Sequence, residues 1–217
     1  MRVTLKQKRE SALEAYNVLN KTYPDACCSL DLDDPYFFLV RAILSAQCTD
    51  VRVNKTVEEL EKKVKTPDDV LKLGESELSE IIKPCGLYKA KAKNIIGTTE
   101  IFINDWGREI PKDINMLVKA PGIGRKIGNL LLGELYSIPA LVVDTHFKRV
   151  AGRLGLTESD DPTKVEADVC KVTDPSMWIR MGHLFVAFGR DICEARNPKC
   201  DICPLNKTCK GAKKNGK

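Results

Sequence analysis

A chain of 217 residues can bury one substantial core or two modest ones that share an interface. With 43% hydrophobic and 30% charged residues it has the make-up of a soluble globular protein; its apolar runs at 37–40 and 141–143 are too short to span a membrane. The charged residues 1–10 lack the apolar stretch of a signal peptide, so an intracellular protein is expected. The net charge of +5 lies wholly in residues 193–217, where seven Lys and Arg face two acids, a clustering that favours a polyanion partner; a solvated tail of Lys213, Lys214 and Lys217 explains it equally well.

Taken in chain order, the pattern is helical almost throughout and predicts an all-α fold of about ten helices joined by short loops. Leu13, Tyr16 and Leu19 recur at helical spacing, as do Leu39, Ile43 and Leu44 behind the start signal Asp34-Pro35. Asp50, Ser76 and Asp144 are read as caps of later helices, and Leu130, Leu131 and Leu135 mark another apolar stripe. Lys83-Pro84-Cys85-Gly86-Leu87-Tyr88-Lys89-Ala90 lines up with Lys119-Ala120-Pro121-Gly122-Ile123-Gly124-Arg125-Lys126. Each is a helix end, a glycine turn and a basic residue opening the next helix; the first copy lacks the second glycine.

The second copy carries chemistry. Two glycines around Ile123 permit a tight turn with positive φ angles, with Ile123 tucked inward. The Gly122 and Gly124 amides, beside the N-terminus of the next helix, make a phosphate seat that ignores sequence; a plain helix–helix turn is the alternative. The surrounding stretch 83–126 holds nine positive against four negative residues. Lys126 falls in the first helical turn beside Arg125. The helix dipole and the second cation both act to lower its pKa, as a nucleophilic amine requires, whereas a phosphate contact needs only the charge. Further on, Leu141-Val142-Val143-Asp144-Thr145-His146 sets a carboxylate after an apolar run. Asp144 reads as an N-cap, and a carboxylate fixed by capping is also suited to stabilising developing positive charge. His146 fits a structural role as well as a substrate contact.

Nine cysteines are an odd number, and in an intracellular chain they point to metal or cluster ligation rather than disulfides. Cys193, Cys200, Cys203 and Cys209 form C-x6-C-x2-C-x5-C, able to surround one tetrahedral metal or one cubane cluster. Structural zinc usually pairs its cysteines in two short clasps and this spacing has one, which favours iron–sulfur with zinc as the rival. Arg196 and Lys199, in the loop between the first two ligands, are placed to reach phosphates. Cys27, Cys28, Cys48, Cys85 and Cys170 are scattered and read as ordinary reduced thiols.

Together, Leu44-Ser45-Ala46-Gln47 with Thr49-Asp50-Val51, then Gly86-Leu87-Tyr88, the hairpin ending in Lys126, Val143-Asp144-Thr145-His146 and the terminal cysteines resemble the endonuclease III family of helix–hairpin–helix DNA glycosylases, over nearly the whole chain. The resemblance implies a six-helix barrel domain over 28–137 containing the hairpin. It also implies an iron–sulfur cluster domain from 1–27 and 138–217, with DNA bound across the cleft between the two. It implies Lys126 as nucleophile and Asp144 as its facing carboxylate, with Gln47 filling the gap left by an extruded base and Leu87 wedging into the opposite strand. Gly122, Gly124 and Arg125 would hold the backbone, Asp50 and His146 would line the substrate pocket, and the four terminal cysteines would hold one [4Fe-4S] cluster. The implied activity is that of a monomeric DNA glycosylase and abasic-site lyase acting on double-stranded DNA with damaged pyrimidines or abasic sites. Ile127 and Gly128 depart from the threonine and alanine frequent in the family, so the lysine's helix is expected to seat differently. The alternatives are the adenine-removing branch, whose carboxylic acid is missing from 41–47, a non-catalytic DNA-binding module, and a zinc-stapled regulatory protein.

Overall fold

The structure, a computed structural model, describes residues 4–211 and is helical, with no strand among them. The terminal lysines Lys213, Lys214 and Lys217 lie outside the described residues. Ten α-helices follow one another: α1 (Leu5–Thr22), α2 (Pro35–Leu44), α3 (Asp50–Lys63), α4 (Pro67–Ile81), α5 (Tyr88–Asn104), α6 (Ile114–Leu117), α7 (Arg125–Tyr136), α8 (Thr145–Leu154), α9 (Pro162–Cys170) and α10 (Trp178–Asp191). None is long and apolar enough to cross a membrane. The chain divides into two compact units, Cys28–Ile138 and a second made of Met1–Cys27 with Pro139–Lys217.

In the unit Cys28–Ile138, α2 is the central helix. It starts where Asp34 accepts the Phe37 amide at 2.9 Å and Pro35 takes the first helical position. Every residue from Tyr36 to Leu44 is buried, the charged Arg41 included. It packs on α3, α5 and α7. Arg41, only 2% exposed, sits in its middle and bonds the part-exposed Glu61 of α3 at 3.0 Å. Two of the expected caps fall elsewhere. Thr49, whose side chain makes no capping bond, occupies the N-cap position of α3, so Asp50 contributes its charge at the first turn, and Ser76 lies inside α4, two residues past a kink at Gly74. Beside the lysine, a Cβ on Gly128 would meet the Cδ1 tip of Ile114 of α6 at 2.3 Å, a flexible end that would have to swing aside.

In the other unit, α1, α8, α9 and α10 share a core around Phe147 and Phe185, whose rings stack with centroids 4.9 Å apart. The extended run before α8 drops Leu141 and Val143 into it. Each large apolar side chain buried there contributes about 1.5–3 kcal/mol. Arg180 of α10 donates to the carbonyls of Tyr23, Pro24 and Ala26, holding the chain after α1 against that helix.

Candidate active site

The hairpin of residues 121–124 is fixed from within its own unit. The Thr98 hydroxyl of α5 donates to the Pro121 carbonyl at 2.6 Å, and Ile123 is buried, 4% exposed, as its position between glycines predicts. Gly122 has φ +79 and lies so near α5 that a Cβ would meet Asn94 at 2.9 Å. The expectation of positive φ at both glycines is corrected at Gly124. It is extended (φ −89, ψ 176) because it is the N-cap of α7, with open space around it. Gly122→Ala should therefore cost about 1–2 kcal/mol in urea melts, from left-handed strain and displacement of Asn94. Gly124→Ala should stay within roughly 0.5 kcal/mol, as an unstrained surface change. Equal losses of stability at the two glycines would contradict this geometry.

Arg125 and Lys126 open α7, and both side chains are exposed. The first copy of the repeat opens with a single 3-10 turn over Lys83–Cys85 and carries positive φ at Gly86 (+67) and also at Leu87 (+49). Leu87 is 61% exposed, so it does not pack into the protein. Gln47, likewise exposed, has φ +54. Left-handed backbone at residues other than glycine costs about 1–2 kcal/mol and persists only when surrounding contacts hold it.

Lys91 provides those contacts, and the sequence reading missed it. Its buried ammonium donates to the carbonyls of Leu44 (2.9 Å), Ala46 (2.7 Å) and Cys85 (2.9 Å), tying the turn before Gln47 to the turn before Leu87. Burial pushes its pKa down, while the nearby Cys85 and Cys48 thiols act in the opposite direction. The available signal was a lysine in line with Ile95, Thr98 and Phe102 on the buried stripe of α5.

In the second unit, Asp144 is the N-cap of α8. Its Oδ1 accepts the Phe147 amide at 2.6 Å, which fixes the half-buried carboxylate and leaves Oδ2 outside the cap. His146 is half-buried, with Nδ1 3.2 Å from Arg149. Cys193, Cys200, Cys203 and Cys209 line a single cavity with about 410 Å³ of space, part of it open to solvent. Burial raises the Cys203 thiol pKa, and its three neighbours in the set add to the effect. Arg153, also missed from the sequence, wraps this region. It donates to the Cys193 sulfur at 3.2 Å and to the carbonyls of Glu194 (2.7 Å) and Ala195 (3.0 Å), while the Cys209 thiol donates to the Arg153 carbonyl. Arg196 is exposed. Lys199 is engaged inside the unit, with the Asp191 carbonyl at 2.7 Å and the carboxylates of Glu194 (3.4 Å) and Asp191 (3.7 Å).

Residues 40–175 match the HhH-GPD family, described as HhH-GPD superfamily base excision DNA repair protein. The chain is 39% identical to endonuclease III of Rickettsia conorii over 89% of its own length and 92% of that protein's. It is also 39% identical to endonuclease III of Bacillus subtilis, over 90% of each. Among solved structures it superposes on a trapped endonuclease III–DNA covalent intermediate with TM-score 0.90 and 38% identity, over 99% of this chain and 100% of that one. Likeness of this extent in both sequence and backbone identifies the chain as a member of the endonuclease III family, within the HhH-GPD superfamily of base excision DNA repair proteins.

Proposed function

We propose that the protein is a bifunctional DNA glycosylase and abasic-site lyase that removes oxidised pyrimidines from double-stranded DNA and cuts 3′ to the abasic site by β-elimination. The observation that carries this reading is Lys126, an exposed amine in the first turn of α7 directly behind the hairpin. That a solved relative is a DNA-linked covalent intermediate supports a covalent step here. In this reading the exposed amides around Gly122 and Gly124, with Arg125, grip phosphates without reading bases. Gln47 and Leu87, rigid and exposed on strained turns, offset the few kcal/mol that extruding a nucleotide costs. The unprotonated Lys126 Nζ forms a bond to the sugar C1′ as the base departs with the bonding electrons. Asp144 stabilises the positive charge and takes up a proton. The C1′–O4′ bond of the sugar ring then breaks, O4′ taking the proton held by Asp144, and leaves an open-chain Schiff base; this loses a C2′ proton, the 3′ C–O bond breaks, and water then releases the lysine. Asp50 and His146 are assigned to the pocket around the extruded base. The enzyme acts as an intracellular monomer.

The cysteine set fits a [4Fe-4S] cluster. All four cysteines line one cavity, and their spacing holds a single short clasp where structural zinc usually has two, which favours a cubane over zinc. A cluster closed by four thiolates supplies cross-linking of residues 193–209, with Arg153 donating to the Cys193 sulfur and exposed Arg196 left to meet phosphate; Lys199 can do so only by leaving its acids.

The test is incubation of the purified protein with duplexes carrying thymine glycol, an abasic site, or adenine opposite 8-oxoguanine, together with its colour and elemental analysis. Cleavage of the first two only, with iron and no zinc, is expected. Action on the third alone would overturn the substrate assignment, and a colourless zinc protein would overturn the cluster.

A further inference from the structure

Cys48 and Cys85 are 37 positions apart in sequence but adjacent in space. The Lys91 ammonium holds the Ala46 and Cys85 carbonyls at 2.7 and 2.9 Å, which brings the backbone just before Cys48 against Cys85 itself. The Cys48 thiol is near enough to act on the Cys85 thiol, raising its pKa. Cys85 is buried, 2% exposed, while Cys48 is half-buried and neighbours the exposed Gln47. Leu87 stands two residues beyond Cys85. The proposed mechanism uses neither thiol, and the cluster ligands lie in the other unit.

We propose that Cys48 and Cys85 are a modification site: they form a reversible disulfide that cross-links the turns bearing Gln47 and Leu87 and thereby lowers affinity for damaged DNA. The oxidant is a low-molecular-weight disulfide. The Cys48 sulfur, the one reachable from solvent, attacks one sulfur of that disulfide as thiolate. The external S–S bond breaks, and one small thiol leaves carrying the proton. Cys85, deprotonated, then attacks the Cys48 sulfur of the mixed disulfide and expels the second small thiol. Two protein thiols are oxidised and one external disulfide is reduced to two thiols. Burial pushes the Cys85 pKa up, with the Thr56 hydroxyl and the Lys91 ammonium working against it, so Cys85 suits the second, intramolecular attack better than the first.

The consequence follows from rigidity. Cys85 is embedded and its carbonyl is held by Lys91, so closing the bond draws the exposed Cys48 turn, with Gln47, toward it. Displacement of a positioned group by ~1 Å can cost up to about 100-fold in function. This half of the proposal rests on the reading that Gln47 and Leu87 enter the duplex; the thiol chemistry does not.

The cluster-loaded protein is treated with excess glutathione disulfide, its remaining thiols are blocked with N-ethylmaleimide, and it is digested with trypsin. Mass spectrometry should show residues 42–52 joined to residues 73–89, two hydrogens lighter than their sum and separated by dithiothreitol. The same sample should bind a duplex carrying a tetrahydrofuran abasic analogue about tenfold more weakly, with its cluster absorbance unchanged and affinity restored by reductant. Cys48→Ser and Cys85→Ser should show neither the linked peptide nor the drop. Absence of the linked peptide overturns the site, and an equal drop in either serine variant, or a linked protein of undiminished affinity, overturns its effect on DNA. A reduced protein that does not bind the duplex at all instead overturns the glycosylase reading, while the linked peptide still decides the thiol chemistry.

Discussion

Lys126→Gln should abolish the protein–DNA adduct trapped by borohydride and slow strand nicking at abasic sites at least ~1000-fold, the scale of loss when a covalent nucleophile is removed. Glutamine has similar length and helix propensity but no amine lone pair, so it cannot add to C1′. The change sits on an exposed side chain in the first turn of α7, where a cation gains nothing from the helix dipole; stability should move by no more than about 0.5 kcal/mol. Loss of activity therefore cannot be ascribed to unfolding. Lys126→Arg separates the two roles a lysine can have here. If the residue only contacts phosphate, arginine restores function, since it keeps the charge and adds donors. If the residue is the nucleophile, arginine binds the tetrahydrofuran duplex about as well as wild type yet forms no adduct. An adduct that persists in Lys126→Gln would remove Lys126 from the mechanism.

The parts of this protein that were legible in its sequence are those whose partners lie a few residues away. Asp34 and Asp144 cap helices by accepting an amide three residues on, so the residue types and the spacing sit in one short window. Ile123 between two glycines announces a buried tip on a tight turn, and Leu39, Ile43 and Leu44 at helical spacing behind Asp34-Pro35 announce α2. Cap placement was less exact where several polar residues compete, as Thr49 beside Asp50 shows.

What escaped the sequence shares a different physical origin. Lys91 and Arg153 are satisfied mainly by main-chain carbonyls, which every residue type supplies, so no motif marks their partners. Cys48 and Cys85 each read as a lone thiol because nothing near either in sequence encodes their meeting; the Lys91 knot creates it. Lys199 seemed available to phosphate because Asp191 lies across a bend and Glu194 on the far side of the same loop. In the hairpin, composition gave both glycines equal claim to positive φ. Only the helix start at Arg125, which makes Gly124 an extended cap, tells them apart.

At Asp144 structural and chemical roles coincide in one carboxylate, and two substitutions pull them apart. Asparagine caps a helix about as well as aspartate, so Asp144→Asn should keep the Phe147 amide satisfied and leave stability within about 0.5 kcal/mol of wild type. It removes the negative charge, however, and a neutral amide neither balances a cationic sugar nor accepts a proton. Single-turnover base release should fall about 100- to 1000-fold, the scale seen when one preorganised electrostatic group is lost. Asp144→Ala should lose as much rate and, in addition, about 1 kcal/mol of stability, because the first turn of α8 then exposes an unpaired amide. Urea melts and base-release rates on the same samples decide between the roles. If the asparagine variant keeps its full rate while the alanine variant loses both rate and stability, Asp144 is a cap that holds α8 and nothing more. If the two variants share the rate loss but differ in stability, the carboxylate acts on the sugar, and capping is how the chain keeps it aimed.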